Sequence, residues 1–384
     1  MAEHPGADNL YVRQADAFLH GHLDIAEYGW DASVVDGKIY VSFPPAPALL
    51  IAPVVAVLGP QATDTIAVAL LLFALTMIMV WRILAQLGMR PDQRFWPLLA
   101  FGMGTPLWQA VQWSSGVWYF AHVVAVFCLV LAIHEALGQG RGWLCGVFLA
   151  GAMLSRQFTL LAAPFLILLL WQNRRRRDAT RTRLLNLAAF LLPLALAGGG
   201  YLLFNAARFG NPLDTGYGAM RLTGFLGERV AKHGQFSPAY VFFNLIYLLL
   251  QGFHVVFTAP DRLSGMEMDP FGASLLAGSP FVIAALLAAR ERRIWAAWAS
   301  ILAMAGATIF YYNNGWVQIN AQRFTLDFWP LLLIPLVLGL RRQFAAGQAR
   351  LWQGMIVYAV CLNLFALLLI DPLNRLFLVW QAWF

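Results

Sequence analysis

Apolar runs close to the twenty residues needed to cross about 30 Å of hydrocarbon recur along this chain, and they constrain its fold more than any motif does. They fall at Ala62–Leu87, Phe95–Trp113, Val117–Leu137, Leu184–Ala207, Gly272–Ala289, Ile294–Tyr312, Leu326–Leu340 and Trp352–Ile370, giving eight expected spans. A chain that is 60% hydrophobic and 12% charged departs widely from the roughly 25% charged content of a soluble domain. The expectation is an all-α, polytopic membrane protein with one membrane domain over residues 1–384. Cys128, Cys145 and Cys361 lie inside apolar runs, so neither a disulfide framework nor a thiolate metal site is expected.

Gly142–Trp171 carries a different pattern, with two apolar stretches of about fourteen residues flanking Ser155, Arg156 and Gln157. At 1.5 Å per residue each half reaches only about 21 Å, so the turn with Arg156 is expected to stop within the membrane's thickness. This hairpin of short helices raises the expected total to about ten membrane helices.

Orientation follows from the arginines, because short cytoplasmic loops are enriched in Lys and Arg. Arg90–Arg94, Arg141, Asn173–Arg183, "RERR" from Arg290 and Arg341–Arg350 share one side if the hairpin around Arg156 enters and leaves from the cytoplasm. The other side receives Asp8, Asp16, Asp24, Glu27, Asp31, Asp36, Asp214, Glu228, Asp261, Glu267 and Asp269. The net charge of +7 is thereby a bilayer asymmetry, which excludes nucleic acid as a partner. The expected organisation is an acidic outer loop (1–42), an interfacial or re-entrant helix (43–60), membrane helices (61–207), a second outer loop (208–271), membrane helices (272–370) and an outer tail (371–384). A chain starting outside with no span before it reads either as a short translocated N-terminus or as one lacking its first helix.

Pro44, Pro45, Pro47 and Pro53 remove backbone donors and resist a continuous helix. Even if helical, Ala46–Leu58 is only about 20 Å long, so it is expected to lie against the outer leaflet or half-buried beside a cavity. That placement pins the acidic loop above the lipid headgroups, where a lipid-linked substrate is accessible.

The segments "ADNLYVRQADAFLHGHLDI", "DASVVDGKIYVSFPPAPALLIAP", "WSSGVWYFAH", "AGAMLSRQFTLLAAP", "FNAARFGNPLDTGY" and "QRFTLDFWPLLL" occur in that order over most of the chain. Together they resemble the bacterial multi-spanning GT-C glycosyltransferases, the superfamily that includes protein O-mannosyltransferase-like and aminoarabinose-transferase-like enzymes. The resemblance implies a first outer loop with a catalytic carboxylate, interfacial helices after it, and a polyprenyl-phosphate sugar as donor. It matches Asn205, Arg208, Phe209, Gly210, Pro212 and Tyr217 to the family pattern in the second outer loop. Two departures stand out: Asp8-Asn9 occupies the place where relatives commonly carry two adjacent acidic residues, and the span before it is absent.

Moving a sugar from a polyprenyl phosphate to a hydroxyl requires a base for the acceptor proton and positive charge for the departing phosphate. In an inverting displacement the base works on the face opposite the leaving group. Asp8 sits where the resemblance places that base, and its competing role is to cap the helix expected over Leu10–His20. Asp16, two turns on, is the second candidate, with a solvated face as the alternative. For the phosphate, Arg156 leads, because an intramembrane guanidinium is costly unless paired; snorkelling or a structural partner is its alternative. Arg323 is the second phosphate candidate, with Asp327 four positions on as a structural ion-pair partner.

Asn9, Asp31, Trp113, Tyr119, His122 and Asp327 are the expected substrate contacts. Gln112 and Trp118 lie beside them, although Trp and Tyr also gather at membrane interfaces without a ligand. Asp36-Gly37 reads as a hairpin turn, Gly210-Asn211-Pro212 as a turn leaving the membrane, and Ser237–Phe253 as a capped interfacial or membrane-dipping helix. No metal is assigned, a divalent ion being compatible with the chemistry; His20 and His22 are spaced poorly for a shared helical face. Expected partners are the polyprenyl-phosphate sugar, membrane lipids and a glycan, lipid or protein acceptor. The alternatives are a transporter or flippase of lipid-linked sugars, which also uses broken helices, and a non-catalytic GT-C relative.

Overall fold

Glycine, proline and small hydroxyl residues decide where the helices of this chain stop. The computed structural model describes residues 9–29, 31–173, 180–260, 262, 265–315 and 318–369. Asp8, residues 174–179 of the arginine-rich loop, Asp261 and the tail 371–384 lie outside the described residues.

The order begins with α1 (Leu10–Leu19), β1 (Ala32–Val35) and β2 (Lys38–Val41). Val35 pairs with Lys38, leaving Asp36 and Gly37 as a two-residue turn with φ of 50° and 76°. Two left-handed residues give the hairpin turn whose twist suits an antiparallel pair, as the Asp-Gly signal led us to expect. Then come α2 (Ala46–Leu58), with the anticipated bounds, α3 (Thr65–Gln86), α4 (Phe95–Met103), α5 (Leu107–Gln112), α6 (Val117–Leu137), α7 (Gly142–Met153), α8 (Ala163–Gln172) and α9 (Thr180–Phe209). Beyond them are α10 (Gly224–His233), α11 (Val241–Leu245), β3 (Val255–Phe257), β4 (Met266–Met268), β5 (Phe271–Ala273), α12 (Leu275–Gly278), α13 (Arg292–Ile309), β6 (Gln318–Ala321), α14 (Trp329–Ala345) and α15 (Ala349–Leu364). Among the described residues the strands form three two-stranded sheets, minor additions to a helical chain.

Among the described residues, four helices are long and apolar enough to cross a membrane: α3, α6, α9 and Ala349–Leu367. Of the eight expected spans, the described residues form four as single long apolar helices, while others are shorter or broken, and the total of about ten membrane helices is not shown. The run Phe95–Trp113 breaks between α4 and α5, where Pro106 lacks a donor and Thr105 Oγ1 donates to Phe101 O (2.7 Å) and accepts from Leu107 N (3.2 Å). Gly272–Ala289 divides into β5, α12 and a 3-10 segment, Pro280–Leu287, which at 2.0 Å per residue rises only about 16 Å. α13 and α14 are continuous, but α14 is preceded by a 3-10 turn, Arg323–Asp327, rather than extending through it.

The described residues group into two compact units, Met1–Gln86 with Ala110–Lys232 and Leu87–Gln109 with His233–Phe384. In the first, α7 runs parallel to α9 at very close range. A Cβ on Gly142 would lie 1.9 Å from Asn186 O, and one on Gly146 would lie 2.2 Å from Phe190 O. Small residues four apart let two backbones approach this closely. Asn186 Oδ1 accepts from Gly142 N (2.8 Å), and its amide donates to Gly140 O (2.9 Å). At the far end of α7, Gln157 Nε2 donates to Tyr201 Oη (3.1 Å). The short 3-10 helix Gln157–Ala162 and α8 then return the chain, and Asn173 Nδ2 donates to Ala136 O (2.8 Å) and Gly138 O (3.1 Å). Both feet of the hairpin thus stand at the C-terminal end of α6, as the arginine pattern required.

In the second unit α14 is the core helix, buried along its whole length from Trp329 to Leu340. Pro280–Leu287 lies against it, with a Cβ on Gly339 placed 1.8 Å from Ala284 O. Ser279 Oγ donates to Gly104 O (2.6 Å), fastening α4 beside this segment. Ser237 caps the helical stretch that follows it, accepting from Ala239 N (3.2 Å), so the cap read from the sequence is present.

The glycine contact yields a direct test. Gly146→Leu is expected to cost about 1–3 kcal/mol or more through overpacking, read as a lower midpoint of thermal unfolding in detergent. Gly198→Ala, facing open space on α9, is expected to leave that midpoint unchanged or slightly raised.

Candidate functional site

Asn9 fixes the start of α1. Its Oδ1 accepts from Tyr11 N (2.9 Å), capping the helix, while its amide donates to Ser114 O (3.0 Å) and Ser115 O (3.1 Å) in the turn before α6. The side chain is buried and its polar capacity is taken up by the protein. The cap therefore comes from Asn9, not Asp8, and Asn9 is a structural anchor. An acidic residue here could accept from Tyr11 N but could not donate to two carbonyls, which gives a physical reason for the Asp8-Asn9 departure.

The anchor sets which face of α1 turns inward. Leu10, Tyr11, Val12, Gln14 and Ala15 are buried. Asp16 is half-buried on the flank, 3.7 Å from His20 Nδ1 through its carboxylate, and about 140° around the helix from Tyr11. The Tyr11 ring packs 6.4 Å from Phe43 and 6.3 Å from Phe120, centroid to centroid. Its hydroxyl, and both amide atoms of Gln14, are buried with no hydrogen-bond partner among the described residues. Burial, reinforced by the neighbouring Tyr217 and opposed by the Arg156 guanidinium, holds the Tyr11 phenol well above its ordinary pKa. It is a protonated donor at neutral pH. Buried polar groups are seldom left unpaired in folded proteins, so Tyr11 and Gln14, on adjacent turns, have hydrogen-bonding capacity open to water or a ligand. Neither was singled out from sequence, although a glutamine on the apolar face of a short helix was the available signal.

Arg156 lies at the tip of the hairpin, in extended backbone with φ −143° and ψ 103°. The level of Tyr201, reached by the adjoining Gln157, is about 12 Å along α9 from its C-terminal end at Phe209. An arginine at the end of a 12-residue helix beside a 30-residue one therefore stands part-way along the longer helix, as its flanking apolar lengths indicated.

Arg208 serves a different purpose. Its Nη1 donates to Val41 O (2.6 Å) and its Nη2 to Asn205 Oδ1 (2.9 Å). Its guanidinium lies 3.8 Å over the Phe204 ring and 4.5 Å over Phe209, clamping the β1–β2 hairpin to α9. Gly210, with φ of 72°, ends α9 in the turn expected there. Asp31, just before β1, also adopts a left-handed φ of 69°, a conformation Asp tolerates better than most residues. Trp113 and Tyr119 meet edge to face at 5.4 Å, and Trp118 lies 6.4 Å from Tyr119. His122 is fully buried one turn along α6.

Arg323 and Asp327 are both buried in the second unit. They belong to a 3-10 turn, where positions four apart point about 120° apart, so the shared helical face inferred from α-helical spacing does not form. Arg323 N donates to Gln318 Oε1 (2.8 Å). Among the described residues no group of three or more His, Cys, Asp or Glu side chains is arranged to hold a metal ion.

No family model matches the sequence, and no curated protein matches it. By structure the chain is similar to the crystal structure of ArnT from Cupriavidus metallidurans bound to undecaprenyl phosphate, with a TM-score of 0.53 and 16% sequence identity. The match covers 93% of this chain and 59% of that one, so the chain spans less than two thirds of ArnT's length. At this identity the likeness is one of fold alone, that of a helical chain with apolar helices long enough to cross a membrane.

Asn9→Asp is expected to destabilise the protein by about 1–3 kcal/mol, because a carboxylate would face two carbonyl oxygens. Thermal unfolding at neutral pH checks this. Stability equal to wild type would show that the Ser114 and Ser115 contacts contribute nothing.

Proposed function

We propose that this chain is an inverting membrane glycosyltransferase that moves a sugar from a polyprenyl-phosphate-linked donor to an acceptor on the outer face of the cytoplasmic membrane. The observation that carries this reading is the hairpin-tip Arg156 within electrostatic range of Tyr11, whose hydroxyl, like the Gln14 amide one turn on, is buried without a partner among the described residues. The GT-C-like fold adds to it, since the similar ArnT structure holds undecaprenyl phosphate.

In the proposed reaction Asp8, adjoining the anchored Asn9 in sequence, takes the proton of an acceptor hydroxyl. The acceptor oxygen bonds to the anomeric carbon from the face opposite the phosphate. The anomeric carbon–oxygen bond breaks, and its electron pair leaves on the polyprenyl phosphate, which needs no acid. Arg156 holds that phosphate before and after the bond breaks. Tyr11 and Gln14 orient the sugar or its phosphate by hydrogen bonds. Trp113, Tyr119 and His122 are assigned to the sugar, and Asp31 to a polar substrate group. A glycan, a lipid or a protein hydroxyl is the acceptor class.

Purified protein assayed against a panel of polyprenyl-phosphate sugars is expected to show turnover, and a complete lack of it across the panel would overturn the transferase reading. Asp8→Asn is expected to reduce transfer by about 10²–10⁴-fold, the usual contribution of a positioned base, with thermal stability unchanged. Full activity in that variant would remove Asp8 as the base.

Arg156→Ala is expected to raise the donor KM by about 10–100-fold, the equivalent of a lost charged hydrogen bond, with little change in the acceptor KM. Equal effects on both substrates would make Arg156 structural. Tyr11→Phe removes only a hydroxyl without a partner, so unfolding should be unaffected while kcat/KM falls by about tenfold. Unchanged kinetics would take Tyr11 out of the site.

A further inference from the structure

The arginines at the C-terminal end of α14 do more than mark a side of the membrane. Arg341 and Arg342 follow the buried run of α14, and Arg290 lies just after Pro280–Leu287, about fifty residues earlier in the sequence. The packing of those two segments brings both loops to one place. Arg290 and Arg342 line the same cleft, of about 660 Å³, together with Leu286, Leu287 and Gln343. A smaller adjoining cleft of about 370 Å³ shares Arg342 and adds Arg293 and Arg341. Glu291 is the carboxylate on its wall, and it already accepts from Arg293 Nε at 2.7 Å.

The charges are not consumed by the protein in equal measure. Arg341 Nη1 donates to Leu87 O (2.9 Å) and Arg342 Nη1 to Leu287 O (3.1 Å), each leaving further N–H groups on the guanidinium fork. Arg290 has no hydrogen-bond or ion-pair partner among the described residues. The wall itself changes character over a short distance: Leu286 is 69% exposed and Leu287 40% exposed, and Arg290 follows three residues after Leu287. Apolar side chains bared to the surroundings beside a cluster of guanidinium groups match the boundary between acyl chains and headgroups. A freely diffusing anion would use the arginines and gain nothing from the leucines. α14 is about 25 Å long, so the cleft lies at the opposite end of that helix from Arg323 and Asp327.

We infer that this cleft binds the headgroup of an anionic phospholipid, with Arg290 and Arg342 on the phosphate and Leu286 and Leu287 against the first methylenes of the chains. Basic pockets at helix ends recognise such headgroups through charge and bidentate geometry. The inference uses only the second unit and is independent of the transferase reading.

Native mass spectrometry of the full chain released from detergent tests it, with phosphatidylglycerol and phosphatidylcholine supplied in equal amounts. Wild type should retain phosphatidylglycerol preferentially, and Arg290→Gln with Arg342→Gln together should reduce that preference by at least about fivefold. A control, Arg181→Gln with Arg183→Gln at the start of α9, should keep it. Because Arg342 also holds Leu287 O, Arg290→Gln alone is the second variant. It should leave thermal unfolding unchanged and still lower the preference by about twofold to fivefold. An unchanged preference in Arg290→Gln and in the double variant, an equal loss in the control, or equal retention of both lipids by wild type would overturn the proposal. Release of bound phosphatidylglycerol by millimolar inorganic phosphate would also overturn it, by assigning the cleft to a soluble anion.

Discussion

Every backbone N–H and C=O that lies at membrane depth must be satisfied by the protein, and this requirement governs how a helix can be broken there. The tip of the α7–α8 hairpin meets it locally. Arg156 N donates to Ala152 O (2.7 Å), Thr159 N donates to Arg156 O (3.0 Å), and the Thr159 hydroxyl donates to the same carbonyl at 2.7 Å. Ser155 Oγ closes onto Gly151 O at 2.8 Å. The reversal is thus sealed by small hydroxyl residues on either side of the arginine, and the chain can present a cation part-way along α9 without exposing its backbone.

Hydrogen bonds from side chains and main chain tie the remaining elements of the first unit together. Asn9 ties the start of α1 to the turn before α6, and Arg208 ties β2 to α9 through Val41 O. Ala46 N donates to Leu154 O (2.9 Å), joining the first turn of α2 to the end of α7. Phe43 bridges these elements, with Tyr11 on one side and Tyr217, at 5.8 Å, on the other. A helix, a hairpin and a loop that are distant in sequence are thereby fixed around the buried Tyr11 and Gln14.

What could be read from the sequence was whatever local chemistry decides. Asp36-Gly37 has the residues a two-residue hairpin needs and Gly210 the one a helix end needs, whereas α2 runs continuously over Ala46–Leu58 with Pro53 inside it, although proline resists a continuous helix. The short apolar flanks of Arg156 matched the short helices on either side of it. Hydropathy alone was misleading where apolar composition hid a break: Gly104-Thr105-Pro106 and Pro280 interrupt runs that pass any window for a span. Arg323 and Asp327 were read with α-helical spacing where the chain winds as 3-10. Tyr11 and Gln14 stayed hidden because their importance lies in lacking partners, which only tertiary packing reveals. Asn9 was legible as a departure from a pattern, but its reason needed two carbonyls more than a hundred residues away.

The two glycines of α7 carry a consequence for how the arginine's position is encoded. With no side chains between the backbones, α7 and α9 are locked in register by main-chain shape. Sliding one helix by a single residue would shift the tip by about 1.5 Å and swing it by about 100°. The guanidinium's height and bearing are consequently written into the meshing of two helices at glycines ten and fourteen residues before it, so the cation's address is held by positions away from it in the chain.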